Sequence, residues 1–208
     1  MAKSKLTPDQ KRDNAIEQAR NLVNSNILIL DTETTGMSGE DQVIELGIID
    51  VTGKIIANTL VNTDRAIDKY AFQVHGITKP MLMQSDHWGI IDIQVKDTIS
   101  KYDLVVMYNA PFDKRLMAQS AEFFSMDGNY YLEEMPYVCL MQLFKAYNYD
   151  KKLSLEKALN SCGITPRAVH RAVADCHDTL ALLKHIASGY TSYEADNNDY
   201  DVDMASHH

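Results

Sequence analysis

Asp31 and Glu33 follow directly on four branched apolar residues, 27–30, which predict a strand buried on both faces of a sheet. Because side chains along a strand alternate between its faces, the two carboxylates project from the same face. At a separation of about 4 Å and an effective dielectric of about 20, they repel each other by roughly 4 kcal/mol. A cation would relieve this repulsion, and carboxylate oxygens suit Mg²⁺ or Mn²⁺. For an isolated Asp-x-Glu, two surface acids at a strand end are the alternative.

Three further ionisable residues could belong to the same site as this pair. Asp113 lies in the first turn of a predicted helix that follows a short apolar strand, where open α/β sheets place their ligands. The helix dipole alone also favours an acid there. Asp175 lies near the start of the last helical pattern. His170 precedes it by five residues, so the two side chains converge only if His170 lies in the loop before that helix.

The elements that must position these residues can be read from the hydrophobic pattern. Residues 42–51 and 54–62 are rich in β-branched side chains and flank Thr52-Gly53, which predicts a hairpin and therefore three antiparallel strands at the start. Helices and short strands alternate afterwards, which predicts an α/β fold with a mixed sheet and helices on both faces. Two later strands are predicted at 103–108 and 137–139. Two helices are predicted to begin at Lys79 and at Ala110, and four more are predicted to span 88–99, 140–147, 154–161 and 172–188.

Composition and charge limit the classes of protein to which this chain can belong. A net charge of -9 argues against a protein that coats nucleic acid with a basic face, although an enzyme can still reach phosphate through bound metal. No apolar run reaches membrane-spanning length, and the first residues do not resemble a signal peptide. Cys139, Cys162 and Cys176 are odd in number and lack C-x-x-C spacing, which indicates reduced thiols. We therefore expect a cytoplasmic protein without a membrane partner.

Four ordered motifs together resemble a known family. They are D-T-E-T-T-G at 31–36, V-H-G-I-T at 74–78, Y-N-A-P-F-D at 108–113 and H-R-A-V-A-D-C-H-D-T at 170–179. This set resembles the histidine-containing (DEDDh) branch of the DEDD superfamily of 3′→5′ exonucleases. Within it, the chain is most similar to the epsilon subunit of DNA polymerase III and its stand-alone relatives. The resemblance covers about residues 27–187, and four motifs in order are more specific than any one of them.

The resemblance implies a ribonuclease H-like fold with a mixed five-stranded sheet. It makes Asp31, Glu33, Asp113 and Asp175 the ligands of two Mg²⁺ or Mn²⁺ ions, and His170 the general base that accepts a proton from the attacking water. The charges agree, because four carboxylates balance two divalent cations. The implied product is a nucleoside 5′-monophosphate.

Four other residues of these motifs are expected to meet the terminal nucleotide, each with a structural alternative. Thr34 could contact the 3′ end or form a turn. His75 resembles the substrate-contacting histidine of the family, or it caps a loop. Phe112 could stack on a base or belong to the core. Asn109 could contact substrate or stabilise the turn before its helix.

The chain departs from the family pattern at two positions. Tyr70 stands where epsilon-type relatives often carry an acid, and Tyr108 replaces a histidine that is frequent before N-A-x-F-D. These changes bear on substrate preference and leave the predicted metal acids intact.

We predict three segments: an N-terminal helical extension at 1–25, an exonuclease domain at 26–189 and an acidic tail at 190–208 that is expected to be disordered. The predicted function is a metal-dependent 3′→5′ exonuclease that acts on single-stranded ends, with DNA favoured over RNA. A non-catalytic nucleic-acid-binding or scaffold module and a nucleotide phosphohydrolase are the alternatives. The expected partners are DNA or RNA 3′ ends, and a protein could be recruited through the N-terminal helix or the tail.

Overall fold

A five-stranded mixed sheet forms the centre of the structure, a computed structural model that describes residues 5–124, 129–149 and 151–190. The strands are β1 Ile27–Thr34, β2 Val43–Asp50, β3 Ile55–Leu60, β4 Leu104–Met107 and β5 Tyr137–Cys139. The strand order is β3-β2-β1-β4-β5, in which the β1–β2 and β2–β3 pairs are antiparallel and the β1–β4 and β4–β5 pairs are parallel. The predicted sheet, with three antiparallel strands first, is therefore confirmed.

Helices cover both faces of the sheet, as predicted. The helices of the described residues are α1 Pro8–Val23, α2 Lys69–His75, α3 Lys79–Leu82, α4 Trp88–Ile99, α5 Ala110–Phe123, α6 Asn129–Glu134, α7 Leu140–Tyr147, α8 Leu155–Ser161 and α9 Ala172–Ser188. One core is shared by β1, α1, α7, α8 and α9, and the other by β1, α4, α5 and α6. None of them combines the length and the apolar character that crossing a membrane would require.

Strand β1 is buried on both faces, as its four branched residues predict. Ile27 and Ile29 face the core under α9, whereas Leu28 and Leu30 face the core under α5. The alternation continues past these residues, so Asp31 and Glu33 extend the row on the α9 side. The centre of the sheet therefore delivers both carboxylates to one place.

Most predicted boundaries match the structure within two residues, but two short helices were not predicted. Helix α2 has seven residues, too few for a helical repeat to be visible, and is held by the Asp68 side chain at its start and by left-handed Gly76 at its end. Helix α6 has six residues. The acidic residues of the predicted tail lie outside the described residues.

Helix α1 packs against α7 and α9. A capping box begins this helix, because the Thr7 side chain accepts a hydrogen bond from the Gln10 N–H and the Gln10 side chain accepts one from the Thr7 N–H. From the same helix, Arg12 donates to the Gly189 carbonyl at 2.9 Å and Arg20 to the Ala187 carbonyl at 2.8 Å. Contacts from α1 therefore hold the C-terminal end of α9.

At its other end, α9 approaches the sheet closely over Gly47 of β2. A Cβ atom added at Gly47 would lie 2.5 Å from the backbone carbon of Ala172 and 2.6 Å from the nitrogen of Val173. Only a residue without a side chain allows this contact, since backbone atoms have little room to move. Gly47 thus fixes how near the first turn of α9 comes to β2.

Gly47→Ala is expected to lower the free energy of unfolding by roughly 3 kcal/mol, because the new methyl group overpacks a backbone contact. Gly39→Ala is the matched control, since no atom lies within 4 Å of the added Cβ there. The control should change stability by less than about 0.5 kcal/mol. Urea denaturation of the two variants measures both values, and equal stabilities would contradict the close approach.

Candidate active site

The last residues of β1 have no pairing partner in β4. The register between these strands ends at Ile29 and Val106, so β1 continues beyond its parallel neighbour. The first turn of α5, which follows β4 directly, occupies the edge left open. There the Thr32 hydroxyl donates a 2.9 Å hydrogen bond to the buried Asp113 carboxylate. A short strand followed at once by a helix therefore places Asp113 beside the end of β1.

Three of the four predicted acids form a compact group. Carboxylate oxygens of Asp31, Glu33 and Asp175 lie within 4.8 Å of one another. Asp113 is not part of this group, but its charge raises the pKa of both Asp31 and Glu33. The structure thus gathers all four acids at one end of the sheet, with three of them close enough to share one cation.

Burial and mutual repulsion disfavour the charged forms of these acids. Burial first, and then the charges of Asp113 and Asp175, raise the pKa of Asp31 well above its usual value. Burial and the charge of Asp175 raise the pKa of Glu33 to about 8. Burial raises the pKa of Asp113 to about 7, against the hydrogen bond from Thr32, and that of Asp175 to about 6, against the influence of His170.

The donor set fits a divalent cation. The carboxylates offer hard oxygen ligands within bonding reach of a common centre, and the charges of neighbouring acids add to burial in raising the pKa of Asp31 and Glu33. Asp31, Glu33 and Asp175 are the residues that would hold such an ion, with Asp113 beside them.

His170 lies in the loop before α9, as its convergence with Asp175 requires. Helix α9 begins at Ala172, and His170 Nδ1 lies 3.9 Å from Asp175 Oδ2. The His170 side chain is 46% exposed, so its ring reaches water while it stays next to the acids. The geometry suits a group that exchanges a proton with a water molecule at the acid cluster.

A cavity of about 790 Å³ adjoins the acids. Its walls include Glu33, Thr34, His75 and Phe112, with the exposed ring of Tyr70 at its border. The space is large enough for a nucleotide, and its walls combine aromatic and polar groups.

The four residues that were predicted to meet the terminal nucleotide make different contacts in the structure. The Thr34 hydroxyl donates to the Gly36 carbonyl at 2.8 Å, which is the turn-forming alternative. His75 is buried at the end of α2, where its Nδ1 accepts a hydrogen bond from the Ile77 N–H at 2.9 Å. Phe112 lies both at the cavity wall and against the core. Asn109 precedes α5 and does not line the cavity, so its contact with substrate stays a prediction.

The two departures from the family pattern lie in different environments. Tyr70 is 74% exposed at the cavity. Tyr108 points into the core instead, where its hydroxyl donates to the Leu153 carbonyl at 2.8 Å. Only the change at position 70 therefore reaches the cavity.

Glu45 is a functional neighbour that the sequence reasoning missed. It lies directly opposite Glu33 in the β1–β2 register and is 1% exposed. Its carboxylate accepts hydrogen bonds from Arg171 Nε at 2.9 Å and from the Ala172 N–H at 3.0 Å. The available signal was a single acid within the apolar run of β2, since a buried charge requires a partner.

Comparison with protein families and curated relatives gives a consistent result. The exonuclease family model RNase_T matches residues 28–183. An uncharacterized exonuclease, CP81 of Escherichia phage 186, is 32% identical over 186 residues, which cover 83% of this chain and 94% of that protein. The DNA polymerase III epsilon subunit of Buchnera aphidicola subsp. Baizongia pistaciae is 26% identical over 174 residues, which cover 79% of this chain and 69% of that subunit.

Solved structures show the same architecture. Exonuclease I superposes with a TM-score of 0.67 at 17% identity, over 85% of this chain. This chain spans only 43% of that protein. Exonuclease X, in complex with duplex DNA that has a 5′ overhang, superposes with a TM-score of 0.57 at 29% identity, over 80% of this chain and 95% of that one.

Asp31→Asn is expected to make the metal-free protein at least as stable as the wild type. At about pH 8 we expect a gain of roughly 1–2 kcal/mol, part of the repulsion of about 4 kcal/mol between two charges 4 Å apart. Calorimetric titration should show that Mn²⁺ binding is lost. Asp97→Asn is the control, because Asp97 is exposed and pairs with Lys101 in a surface contact. A clear fall in the melting temperature of metal-free Asp31→Asn would contradict the repulsion.

The metal-free protein is expected to lose stability as pH rises from about 4 to about 8. Unfolded carboxyls titrate near about 4, whereas the folded pKa values of Asp175, Asp113 and Glu33 are about 6, 7 and 8. In this range the folded state binds more protons than the unfolded state, so a rise in pH favours unfolding.

Melting temperatures in chelator across this pH range measure the trend. Subtracting the melting temperatures of Asp31→Asn from those of the wild type removes the contribution of acids outside the site. One such acid is Asp50, whose pKa is lowered by hydrogen bonds from the Thr52 side chain and from the backbone N–H groups of Lys54 and Thr52. Mn²⁺ should reverse the loss, because a bound cation stabilises the charged carboxylates. A difference curve that is flat or rises with pH would contradict this assignment.

Proposed function

Because the chain belongs to the RNase_T family of exonucleases and has their ribonuclease H-like fold, we propose that it is a metal-dependent 3′→5′ exonuclease. Its proposed products are nucleoside 5′-monophosphates, released from single-stranded ends. The observation that carries this proposal is the group of Asp31, Glu33 and Asp175, whose carboxylate oxygens lie within 4.8 Å of one another beside His170.

Each functional side chain has a separate task in the proposed reaction. Asp31, Glu33, Asp175 and Asp113 would hold two Mg²⁺ or Mn²⁺ ions, which when bound supply Lewis-acid stabilisation of the phosphate and a lower pKa for water. His170 accepts the proton of the attacking water, and Asp175, 3.9 Å away, stabilises the resulting imidazolium. A bond forms between the water oxygen and phosphorus, and the bond to the 3′ oxygen of the shortened strand breaks. The leaving oxygen becomes a 3′ hydroxyl by taking up a proton.

The cavity beside the acids is the proposed site of the terminal nucleotide. Phe112 and Tyr70 offer aromatic surface for a base, and the backbone at Thr34 lies next to Glu33 at the acid end. A cavity that admits one nucleotide next to the reacting phosphate favours attack at a strand end over internal cleavage. His75 borders the same space, where burial lowers its pKa and favours a neutral ring.

DNA is the favoured substrate in this proposal. Two relatives above 25% identity have names or structures tied to DNA: the epsilon subunit of DNA polymerase III and exonuclease X bound to duplex DNA. We also propose the cytoplasm as the place of action, supported by Cys139, Cys162 and Cys176, all of which are free thiols. A protein partner, where one recruits the enzyme, would bind through α1 or the acidic tail.

Digestion of 5′-labelled single strands tests the function. With Mn²⁺ we expect a ladder of shortened labelled products and release of nucleoside 5′-monophosphates, faster for DNA than for RNA of equal sequence. Chelator should stop the reaction. A nucleoside triphosphate in a parallel reaction distinguishes a phosphohydrolase, and binding without cleavage distinguishes a non-catalytic module. Internal cuts, or loss of the 5′ label as the first product, would overturn the proposal.

In the same assay, His170→Ala is expected to lower kcat by about 10²–10⁴-fold, the usual contribution of a general base. Mn²⁺ binding, measured by calorimetric titration, should persist because the carboxylates remain. His177→Ala is the matched control, since His177 lies beside Gly53 at the far end of β2. Loss of metal binding together with turnover in His170→Ala would make this histidine a ligand or a structural residue.

A further inference from the structure

Two buried carboxylates bind the residues on either side of His170 in the loop before α9. On one side of the histidine, the Arg167 backbone N–H donates to Asp178 at 3.0 Å, and the Arg167 guanidinium pairs with the same carboxylate. On the other side, Arg171 forms a two-pronged pair with Glu45. Asp178 is 3% exposed and Glu45 is 1% exposed. His170 therefore lies between two anchored arginines.

The pair between Glu45 and Arg171 offsets a repulsive arrangement in the sheet. Glu33 and Glu45 are direct cross-strand neighbours, a position in which like charges destabilise a sheet. Arg171 supplies the neutralising charge to Glu45, and its planar guanidinium meets the carboxylate through two N–H groups. A surface ion pair such as Lys101 with Asp97, both more than half exposed, lacks this desolvation and geometry.

Helix α9 does not depend on this ion pair for its place on the sheet. Its first turn rests against Gly47, and Cys176 and Leu180 lie in the core. Asp175 is inside the helix, where its N–H donates to the Arg171 carbonyl at 3.0 Å. Loss of the arginine contacts should therefore leave Asp175 in position and release mainly the residues before the helix.

We propose that Glu45 and Asp178 are positioning residues that act through His170. By fixing Arg171 and Arg167, they hold the imidazole next to the metal acids. This inference rests on the proposed role of His170 as general base. It assigns a task in turnover to two carboxylates that belong neither to the group of metal acids nor to the lining of the cavity.

Hydrogen exchange tests the structural half of the proposal without reference to activity. In Glu45→Gln, the amide of Ala172 should exchange about tenfold faster, since its N–H loses a charged acceptor. The Arg167 amide, which is bound to Asp178, and the amides of residues 176–186 should exchange at the wild-type rate. Unchanged exchange at Ala172 would overturn the proposal.

Kinetics test the functional half. Glu45→Gln should lower kcat by about 10- to 100-fold with KM within about threefold, because misplacement of a catalytic group affects the chemical step more than binding. Mn²⁺ affinity, measured by calorimetry, should stay within about threefold of the wild type. In the His170→Ala background, the same substitution should lower kcat by less than about twofold further, since a group that acts through His170 has nothing left to position.

Two more variants separate positioning from loss of folding. Asp178→Asn releases the other side of the loop and should show the same pattern, including its disappearance in the His170→Ala background. Arg171→Lys keeps the charge without the two-pronged geometry and should retain part of the turnover. Asp97→Asn, the surface control, should match the wild type in every measurement.

The outcomes distinguish this proposal from the proposed function. A full loss of kcat from Glu45→Gln in the His170→Ala background would show that Glu45 acts by another route and would overturn the inference. Absence of strand cleavage by the wild type would overturn the proposed function and, with it, the role in turnover. The exchange data would still decide whether the carboxylates fix the loop.

Discussion

Repulsion among buried carboxylates is the constraint on which the site depends. Asp31 and Glu33 from β1 and Asp175 from α9 share a small volume, and burial and the other acids raise their pKa values. Such a cluster opposes folding in the absence of cations. The rest of the structure must therefore supply enough stability to hold these elements together against their own charge.

The sheet supplies this stability from both sides of β1. Residues 27–30 have no exposed surface and join two separate cores, so the strand that carries the acids is held by packing on both of its faces. Strand β2, beside β1, meets α9 at Gly47, where the backbone of the first helical turn packs closely on the sheet. Gly47 thus sets how near the helix that brings Asp175 approaches the sheet, whereas Glu45 binds Arg171 and the Ala172 N–H, where the helix begins.

Much of this arrangement could be predicted because its signals are local. The alternation in β1 predicted that Asp31 and Glu33 share a face, and the bounds of α4, α7 and α9 follow from nearby residues. Glu45 was missed because its meaning depends on the β1–β2 register and on Arg171, 126 residues away in the chain. Helix α2 was missed because seven residues show too little periodicity.

The proposed metal site would also explain how a chain of net charge -9 can act on a polyanion. Without cations, the acid cluster would repel a phosphodiester, and no basic face is needed if the cluster itself becomes the attractive centre. Carboxylates of raised pKa bind a cation with release of protons, which turns a repulsive surface into a neutral or positive one. Cation and phosphate then each strengthen the binding of the other by thermodynamic linkage. In the proposed mechanism, affinity for nucleic acid is therefore a property of the metal-loaded site.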